Sequence, residues 1–392
     1  MEKKKVFDVA QTDRENLRVL AQRYHAHEPR TLAAVDRVSP EQFLRLFLTT
    51  HGMPPTGIWK THTYARLTDS RTGRDHFFLI PMPIGGGVKR PRIRLEESGL
   101  IVDEFVFPVR AQAIPFTTPF WYFHYDPNRE NQPYASMTLN LKPACPEKCR
   151  LCAGAKTGRV NNGLQGTLGT DFVFRRILDQ HLETRTQLES VAVVTGCFDH
   201  FDAMANHLRE VRETIQTYAQ PKEWRVLEHN VVTPEQFERV VGQLGYDVFI
   251  TLECFDPEKR KIALNGNQGR KGRETRQFIE MMETYADYLE KRAEKGRDLV
   301  RVTYLAGIDP LSTTEELFAQ MARINDKHQH ARVVPWLSVF TPYAASMAVI
   351  QNREFSLQYL IDIQDLTRRY FGSEVAELQT GSTAEGFARG LF

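Results

Sequence analysis

The chain has 392 residues, more than one average domain and fewer than three, and its 41% hydrophobic and 26% charged content suits a sizeable core with an ordinary surface. Its 51 Lys and Arg nearly balance 49 Asp and Glu, for a net charge of +2, so electrostatics give no argument for nucleic acid or an anionic membrane as partner. There is no run of about 18 apolar residues, and the charged start Met1-Glu2-Lys3-Lys4-Lys5 leads into no apolar stretch; neither a membrane span nor a secretory signal is expected, and the cytoplasm is the expected compartment.

Three regions follow one another. Residues 1–130 read as an α+β domain. Helical periodicity covers 13–26, and Ser39-Pro40-Glu41-Gln42 is an N-cap with Pro in the first turn of a second helix. Short β-branched or aromatic runs at 76–83, 91–95 and 101–109, separated by Gly85-Gly86-Gly87 and Ser98-Gly99, predict antiparallel strands and hairpins. The aromatic run Phe120-Trp121-Tyr122-Phe123-His124-Tyr125 reads as core or domain interface, with a substrate lid as the alternative.

Residues 131–345 alternate strand and helix. Strands are predicted at 137–141, 190–195, 224–228, 248–252, 299–305 and 333–340, and helices at 172–182, 201–218, 233–244, 274–293 and 312–324. Strict β-then-α order argues a parallel sheet with right-handed crossovers, and six units fit a partial, open β/α barrel. Residues 346–392 form a C-terminal extension with a helix near 356–370 and a polar, Gly-containing tail.

Three of the five cysteines lie in Cys145-Pro146-Glu147-Lys148-Cys149-Arg150-Leu151-Cys152, spaced C-x3-C-x2-C, and the others are Cys197 and Cys254. A secreted disulfide framework would be denser and usually even in number, so a metal or cluster site in a reducing compartment fits better. Ordinary electron-transfer clusters take four cysteines. Three thiolates leave one iron of a cubane open, and an open coordination position is what makes a metal centre catalytic rather than structural. The competing reading is a structural zinc loop closed by a distant ligand such as Cys197 or a His.

The motif, placed after a first barrel strand, resembles the radical S-adenosylmethionine (radical SAM) superfamily. The resemblance implies a partial (β/α)6 radical SAM barrel with an N-terminal α+β extension and a C-terminal helical tail. It implies a [4Fe-4S] cluster on Cys145, Cys149 and Cys152 whose fourth iron chelates the amino and carboxylate groups of S-adenosylmethionine. One electron then breaks the S–C5′ bond, and the 5′-deoxyadenosyl radical takes hydrogen from a substrate, here expected to be a small molecule. An external one-electron reductant of flavodoxin or ferredoxin type is the implied partner. Alternatives are a peptide- or RNA-modifying member, or a non-enzymatic zinc-stabilised binding module.

The same resemblance suggests the S-adenosylmethionine contacts. Leu151 stands where an aromatic often meets adenine. Thr195-Gly196 replaces the usual Gly-Gly-Glu turn after the second strand, so Gly196 permits close backbone approach while the Glu is missing. Glu253, at the end of the fourth strand, is the first ribose candidate and Glu228, at the end of the third, the second; alternation puts Thr251 on one face with Glu253. A capping or salt-bridging role competes for each carboxylate. Gly307 would let the backbone approach adenine. In the loop after the fourth strand, 257–273, Arg270, Lys271 and Arg273 suit a phosphate or carboxylate, against a plain solvated loop. Tyr343 is a candidate to close the site or a packed aromatic. Cys197 reads equally as a buried small residue or a functional thiol. No cysteine follows Cys254, which weighs against an auxiliary-cluster domain, and no Asp-x-His-x-x-Gly stretch suggests cobalamin.

Overall fold

The computed structural model describes residues 9–38, 40–51, 62–68, 75–80, 91–96, 99–107, 110–114, 121–126, 134–139, 188–194, 198, 200–228, 230–264, 274–293, 298–340, 350–373 and 375. The chain divides into two compact units. One combines Met1–Phe116 with Ala306–Leu311 and Leu337–Leu391, and the other combines Thr117–Leu305 with Ser312–Trp336.

The first unit opens with three helices, α1 (Val9–His25), α2 (Pro29–Arg37) and α3 (Pro40–His51). The expected Pro40 start is present; α2, begun by Pro29 at its first position, was not expected. Leu17, Leu20, Ala34, Val35, Phe43 and Phe47 are buried. Two small antiparallel sheets follow. Strands β1 (His62–Thr68), β2 (Asp75–Ile80), β3 (Ile93–Glu96), β4 (Gly99–Val102), β5 (Phe105–Phe107) and β6 (Arg110–Ile114) form sheets in the orders β2-β1-β6 and β3-β4-β5. The run expected as one strand over 101–109 is broken by a turn at Asp103, which adopts φ 53°. Its carboxylate accepts bonds from the Arg92 N–H at 2.8 Å and the Tyr24 hydroxyl at 2.5 Å, while Arg23 reaches both Asp103 and Glu104, so α1 is clasped to this turn.

The second unit is built on a seven-stranded sheet in the order β13-β12-β11-β10-β9-β8-β7. Its members are β7 (Trp121–Asp126), β8 (Tyr134–Leu139), β9 (Leu188–Val194), β10 (Glu223–Glu228), β11 (Asp247–Glu253), β12 (Leu299–Ala306) and β13 (Arg332–Val339). Between them run α4 (Phe201–Gln216), α5 (Pro234–Phe237), α6 (Pro257–Ala263), α7 (Thr275–Arg292) and α8 (Leu311–Asn325). The last described helix, α9 (Leu357–Phe371), belongs to the first unit. Strands β8 to β12 are parallel, and β7 adds an antiparallel edge. The aromatic run at 120–125 therefore supplies this edge strand. The expected helix over 172–182 lies outside the described residues.

Each successive strand joins the sheet on the same side. Right-handed crossovers then carry the described connecting helices to one face, with no switch point of the doubly wound kind among the described strands. The sequences agree with this. Along β10 the burial alternates strictly: Trp224, Val226 and Glu228 are buried, and Glu223, Arg225 and Leu227 half-buried. By register, Val248, Ile250, Val300 and Val302 share the buried face. That face meets the helices: Arg212 of α4 lies over the Trp224 ring at 5.2 Å, and the Tyr304 hydroxyl meets Thr314 of α8 at 2.8 Å. Phe237 and Tyr285 stack at 4.3 Å beneath α5 and α7. The opposite face carries Arg225, Leu227, Phe249, Thr251, Arg301 and Thr303, and most of these keep partial exposure. This is the face that a β/α barrel turns inward.

Helix ends follow local chemistry. Thr233 and Gln236 form a reciprocal capping box at the start of the helix expected over 233–244. After one α-turn the chain continues as a π-helix over Glu238–Gln243, where Glu238 accepts bonds from Tyr288 and Arg292 of α7.

The loop after α8 is pinned by charge. Glu290 accepts the N–H groups of Gln329, His330 and Ala331, which hold its pKa at about 2. Burial lowers the His328 pKa, but the Ile324 carbonyl and Asp287 carboxylate outweigh it and the net shift is upward. The depressed carboxylate stabilises the loop above its ordinary 4.5, and that support is lost as pH falls through about 2. The raised imidazole stabilises it below its ordinary 6.5, and that support is lost as pH rises through the higher folded value. Amide exchange of residues 328–331 is therefore expected to be slowest, relative to intrinsic rates, between pH 4.5 and 6.5. A monotonic pH dependence would refute this pairing.

Candidate functional site

Ligands of parallel α/β sheets bind at the carboxyl ends of the strands. Here those ends are formed by the residues that follow Leu139, Val194, Glu228, Glu253 and Ala306. Cys145 comes six residues after β8 in the sequence. Cys145, Cys149, Cys152, Leu151, Thr195, Gly196, Cys197, Arg270, Lys271, Arg273 and Tyr343 lie outside the described residues. Glu228, Thr251, Glu253 and Gly307 are described.

Glu228 ends β10 with only 1% exposure, and its Oε1 accepts the N–H of Asn230 at 3.0 Å. It shares the helix-facing row with Ile250 and Val302. Its carboxylate closes the strand-end turn, which is the capping role that competed with ribose binding.

At the end of β11 the register shifts between Thr251 and Glu253. Thr251 pairs with Thr303 and Glu253 with Tyr304. These two partners are consecutive on β12 and face opposite ways, so the alternation expected across Thr251 and Glu253 does not hold. The cause is local: Glu253 takes φ 70°, and the Cys254 N–H turns back to the Leu252 carbonyl at 2.9 Å. A left-handed conformation at a non-glycine residue costs about 1–2 kcal/mol. Such bulges re-aim side chains beside active sites, and strain held at a strand end points toward function.

The bulge is secured from α6. Arg260, 5% exposed, donates to the Leu252 carbonyl at 2.5 Å and the Cys254 carbonyl at 3.2 Å, and lies over the Phe278 ring at 4.4 Å. Asp256 caps this helix by accepting the Lys259 N–H at 2.9 Å. The first part of the expected charged loop is thus a capped helix, and Arg260 bonds the protein's own carbonyls.

Two polar groups at this edge are left over. The Thr251 hydroxyl is buried without a hydrogen-bond partner, and so are both amide atoms of Asn230, a residue 5% exposed. Further back, the Ser190 hydroxyl and the Trp336 indole N–H are in the same condition. A buried unpaired polar group costs about 1–3 kcal/mol, so these atoms are partners in waiting for water or for a ligand with hydroxyl, amine or carboxylate groups. Asn230, Ser190 and Trp336 were not singled out from sequence. The signal available was a serine inside the apolar run of β9 and an amide two residues past a strand end.

Gly307 follows β12 with φ 107°. Its N–H donates to the Tyr359 hydroxyl at 3.1 Å, and its carbonyl accepts the Asn352 N–H at 2.7 Å. A Cβ here would stand 2.7 Å from the Phe355 ring. The space freed by the missing side chain is therefore filled by Phe355.

Among the described residues there is no group of three or more His, Cys, Asp or Glu able to hold a metal, and no helix long and apolar enough to cross a membrane.

No family model matches the chain. No curated protein matches it. Among solved structures, the X-ray structure of the FeFe-hydrogenase maturase HydG from Carboxydothermus hydrogenoformans is similar over 62% of this chain and 51% of that one, at 16% identity and a TM-score of 0.43. The match thus spans about half the length of that protein.

Proposed function

We propose that the chain is a radical SAM enzyme holding a [4Fe-4S] cluster on Cys145, Cys149 and Cys152 and acting on a small molecule. The observation that carries this reading is the C-x3-C-x2-C sequence that begins six residues after β8, the first of five parallel strands whose order places the described crossover helices on one face. Three thiolates suit iron and leave a corner of the cubane for a ligand.

When bound, such a cluster supplies one electron that divides S-adenosylmethionine into methionine and a 5′-deoxyadenosyl radical, which takes hydrogen from the substrate. The protein's share is to bind, orient and exclude water. The unpaired Thr251 hydroxyl and the Asn230 amide are the best-prepared partners for ribose hydroxyls or an amino-acid group. Glu253 and Glu228 remain the first and second ribose candidates, and the Glu228 carboxylate also accepts the Asn230 N–H. Leu151, Thr195, Gly196 and Gly307 belong to the same proposal for the adenosyl and methionyl parts. Arg270, Lys271, Arg273 and Tyr343 belong to it for the substrate. A flavodoxin- or ferredoxin-type donor is the proposed partner.

Metal analysis of anaerobically purified protein tests this. About four irons and four sulfides per chain are expected for a complete cubane. One tightly held zinc and no sulfide would replace the reading with a structural zinc loop.

Thr251→Val gives a sharper prediction about the pocket. The hydroxyl has no hydrogen-bond partner, so replacing it by a methyl group relieves its burial cost and should raise folding stability by about 1–3 kcal/mol. S-adenosylmethionine binding by the cluster-loaded protein should weaken about tenfold, the worth of one good hydrogen bond to a ligand. Equal affinity in equilibrium dialysis would remove Thr251 from the site.

A further inference from the structure

On the inward face of the seven-stranded sheet, Phe249 of β11 pairs with Leu227 of β10 and with Arg301 of β12. One layer nearer the strand ends, Thr251 pairs with Thr303. Arg301 is partly buried there. Its guanidinium covers the Phe249 ring at 5.3 Å, and among the described residues it forms no hydrogen bond or ion pair. From β13 the Trp336 indole meets the same ring edge-on at 5.1 Å, and its N–H is buried without an acceptor. Two unanswered donors, one of them charged, thus flank a single ring within the second unit.

The chemistry of these groups selects a ligand. A buried charge or donor without a partner is costly. Donors in excess call for an acceptor, and a guanidinium fork fits a carboxylate through two parallel N–H bonds. Neighbouring charges set how much negative charge the place accepts. Burial lowers the Arg301 pKa most, Asp247 pulls it up, and Arg225 lowers it again. Arg225 is itself answered by Glu223 at 2.6 Å. Asp247 is the charge that an incoming anion meets, and a single negative charge suffers less from it than the two of a phosphate monoester. Depth sets the length of the ligand. Arg301 stands five residues before the end of β12 at Ala306, about 16 Å at 3.3 Å per residue, part of which its own side chain can span. The anion therefore sits deep, whereas the chemistry of such sheets is done at the strand ends.

We propose that Arg301 and the Trp336 N–H hold the carboxylate of an elongated, singly charged substrate whose reacting C–H bond lies several bonds away, toward the strand ends. The direction of the substrate rests on the radical SAM reading; the anion site does not. Phe249 is 1% exposed, so it orients the two donors rather than touching the ligand. The middle of the substrate passes the next layer. There the Thr303 hydroxyl gives its hydrogen to the Ile250 carbonyl at 3.3 Å and keeps its oxygen free to accept, while the Thr251 hydroxyl has no partner.

Binding is measured on the full chain without S-adenosylmethionine or reductant, and iron is assayed separately, so this proposal and the cluster assignment can each fail alone. The probe is hexanoate, with hexanamide and hexylammonium as its neutral and cationic matches, followed by ligand-observed NMR at constant ionic strength. Hexanoate should bind with a dissociation constant of about 10 mM or tighter, a scale suited to so small a ligand. The other two should bind at least about tenfold more weakly, the difference that a charge-assisted hydrogen bond makes. Arg301→Met keeps the length of the side chain and should lose at least about tenfold of the hexanoate affinity, and Trp336→Phe about threefold. If Arg301 were purely structural, its loss would lower the urea midpoint. The midpoint of Arg301→Met is instead expected to be unchanged or higher, because no hydrogen bond or ion pair to a described residue is removed. Absence of hexanoate binding, equal binding of hexanoate and hexanamide, full hexanoate affinity in either variant, or a lowered midpoint in Arg301→Met overturns the proposal.

Discussion

Replacing Gly307 by alanine is expected to lower folding stability by about 2–5 kcal/mol, from about 1–2 for a left-handed backbone and about 1–3 for overpacking. Both parts are visible at the residue. The φ of 107° is a conformation that side chains rarely adopt, and the new methyl would stand 2.7 Å from Cδ2 and 3.0 Å from Cε2 of Phe355. The backbone has little freedom to yield, because the Gly307 N–H is bound by Tyr359 and its carbonyl by Asn352. Asn352 and Tyr359 both also donate to the Asp309 carbonyl, at 2.9 and 2.8 Å. Gly372 supplies the control. Its φ is 86°, yet nothing lies within 4 Å of the position of a Cβ. Gly372→Ala should therefore cost only the backbone part, about 1–3 kcal/mol for its φ 86°, ψ 169° conformation. Urea denaturation of the two variants should show Gly307→Ala as clearly the worse. Equal midpoints would mean that Phe355 moves aside freely.

Cys149→Ala is expected to reduce 5′-deoxyadenosine formation by about a thousandfold or more, the scale on which loss of a group essential to the chemistry acts. Iron and sulfide per chain should fall with it, because two thiolates cannot anchor a cubane that three were needed to hold. Cys254→Ala is the matched control: this thiol is buried, at 0% exposure, outside the motif. Its variant should keep the iron. Cys197→Ala separates the readings further. A zinc loop closed by Cys197 would lose its metal in that variant, whereas the proposed cluster would not. A Cys149→Ala protein that still makes 5′-deoxyadenosine would rule out the assignment of that ligand.

The alternation of strand and helix was legible because parallel strands buried by helices are rich in β-branched residues. Glu-Ser-Val-Ala-Val-Val in β9 and Val-Phe-Ile-Thr-Leu in β11 are plain examples. Caps were legible where the side chain does the work, as at Thr233. The bulge at Glu253 was not, since no glycine or asparagine marks its positive φ and the cause is Arg260 holding two carbonyls from the next helix. That helix was itself hidden: Asp256-Pro257 is a good start signal, but it opens a run of charges and glycines that reads as loop. Strands β1 and β6 pair across four intervening strands, so their stability comes from a distant partner that periodicity does not reveal. At the site, the residue types were readable and their bonding was not. Glu228 looked like Glu253 in sequence, yet one faces the helices and caps a turn while the other sits on a bulge. The orphan amide of Asn230 is a property of its surroundings.

The most direct test is to incubate anaerobic, dithionite-reduced natural protein with S-adenosylmethionine and measure 5′-deoxyadenosine and methionine together. Matching amounts of both, absent without reductant, are predicted. A protein that carries a full complement of iron and sulfide but releases neither product would contradict the account.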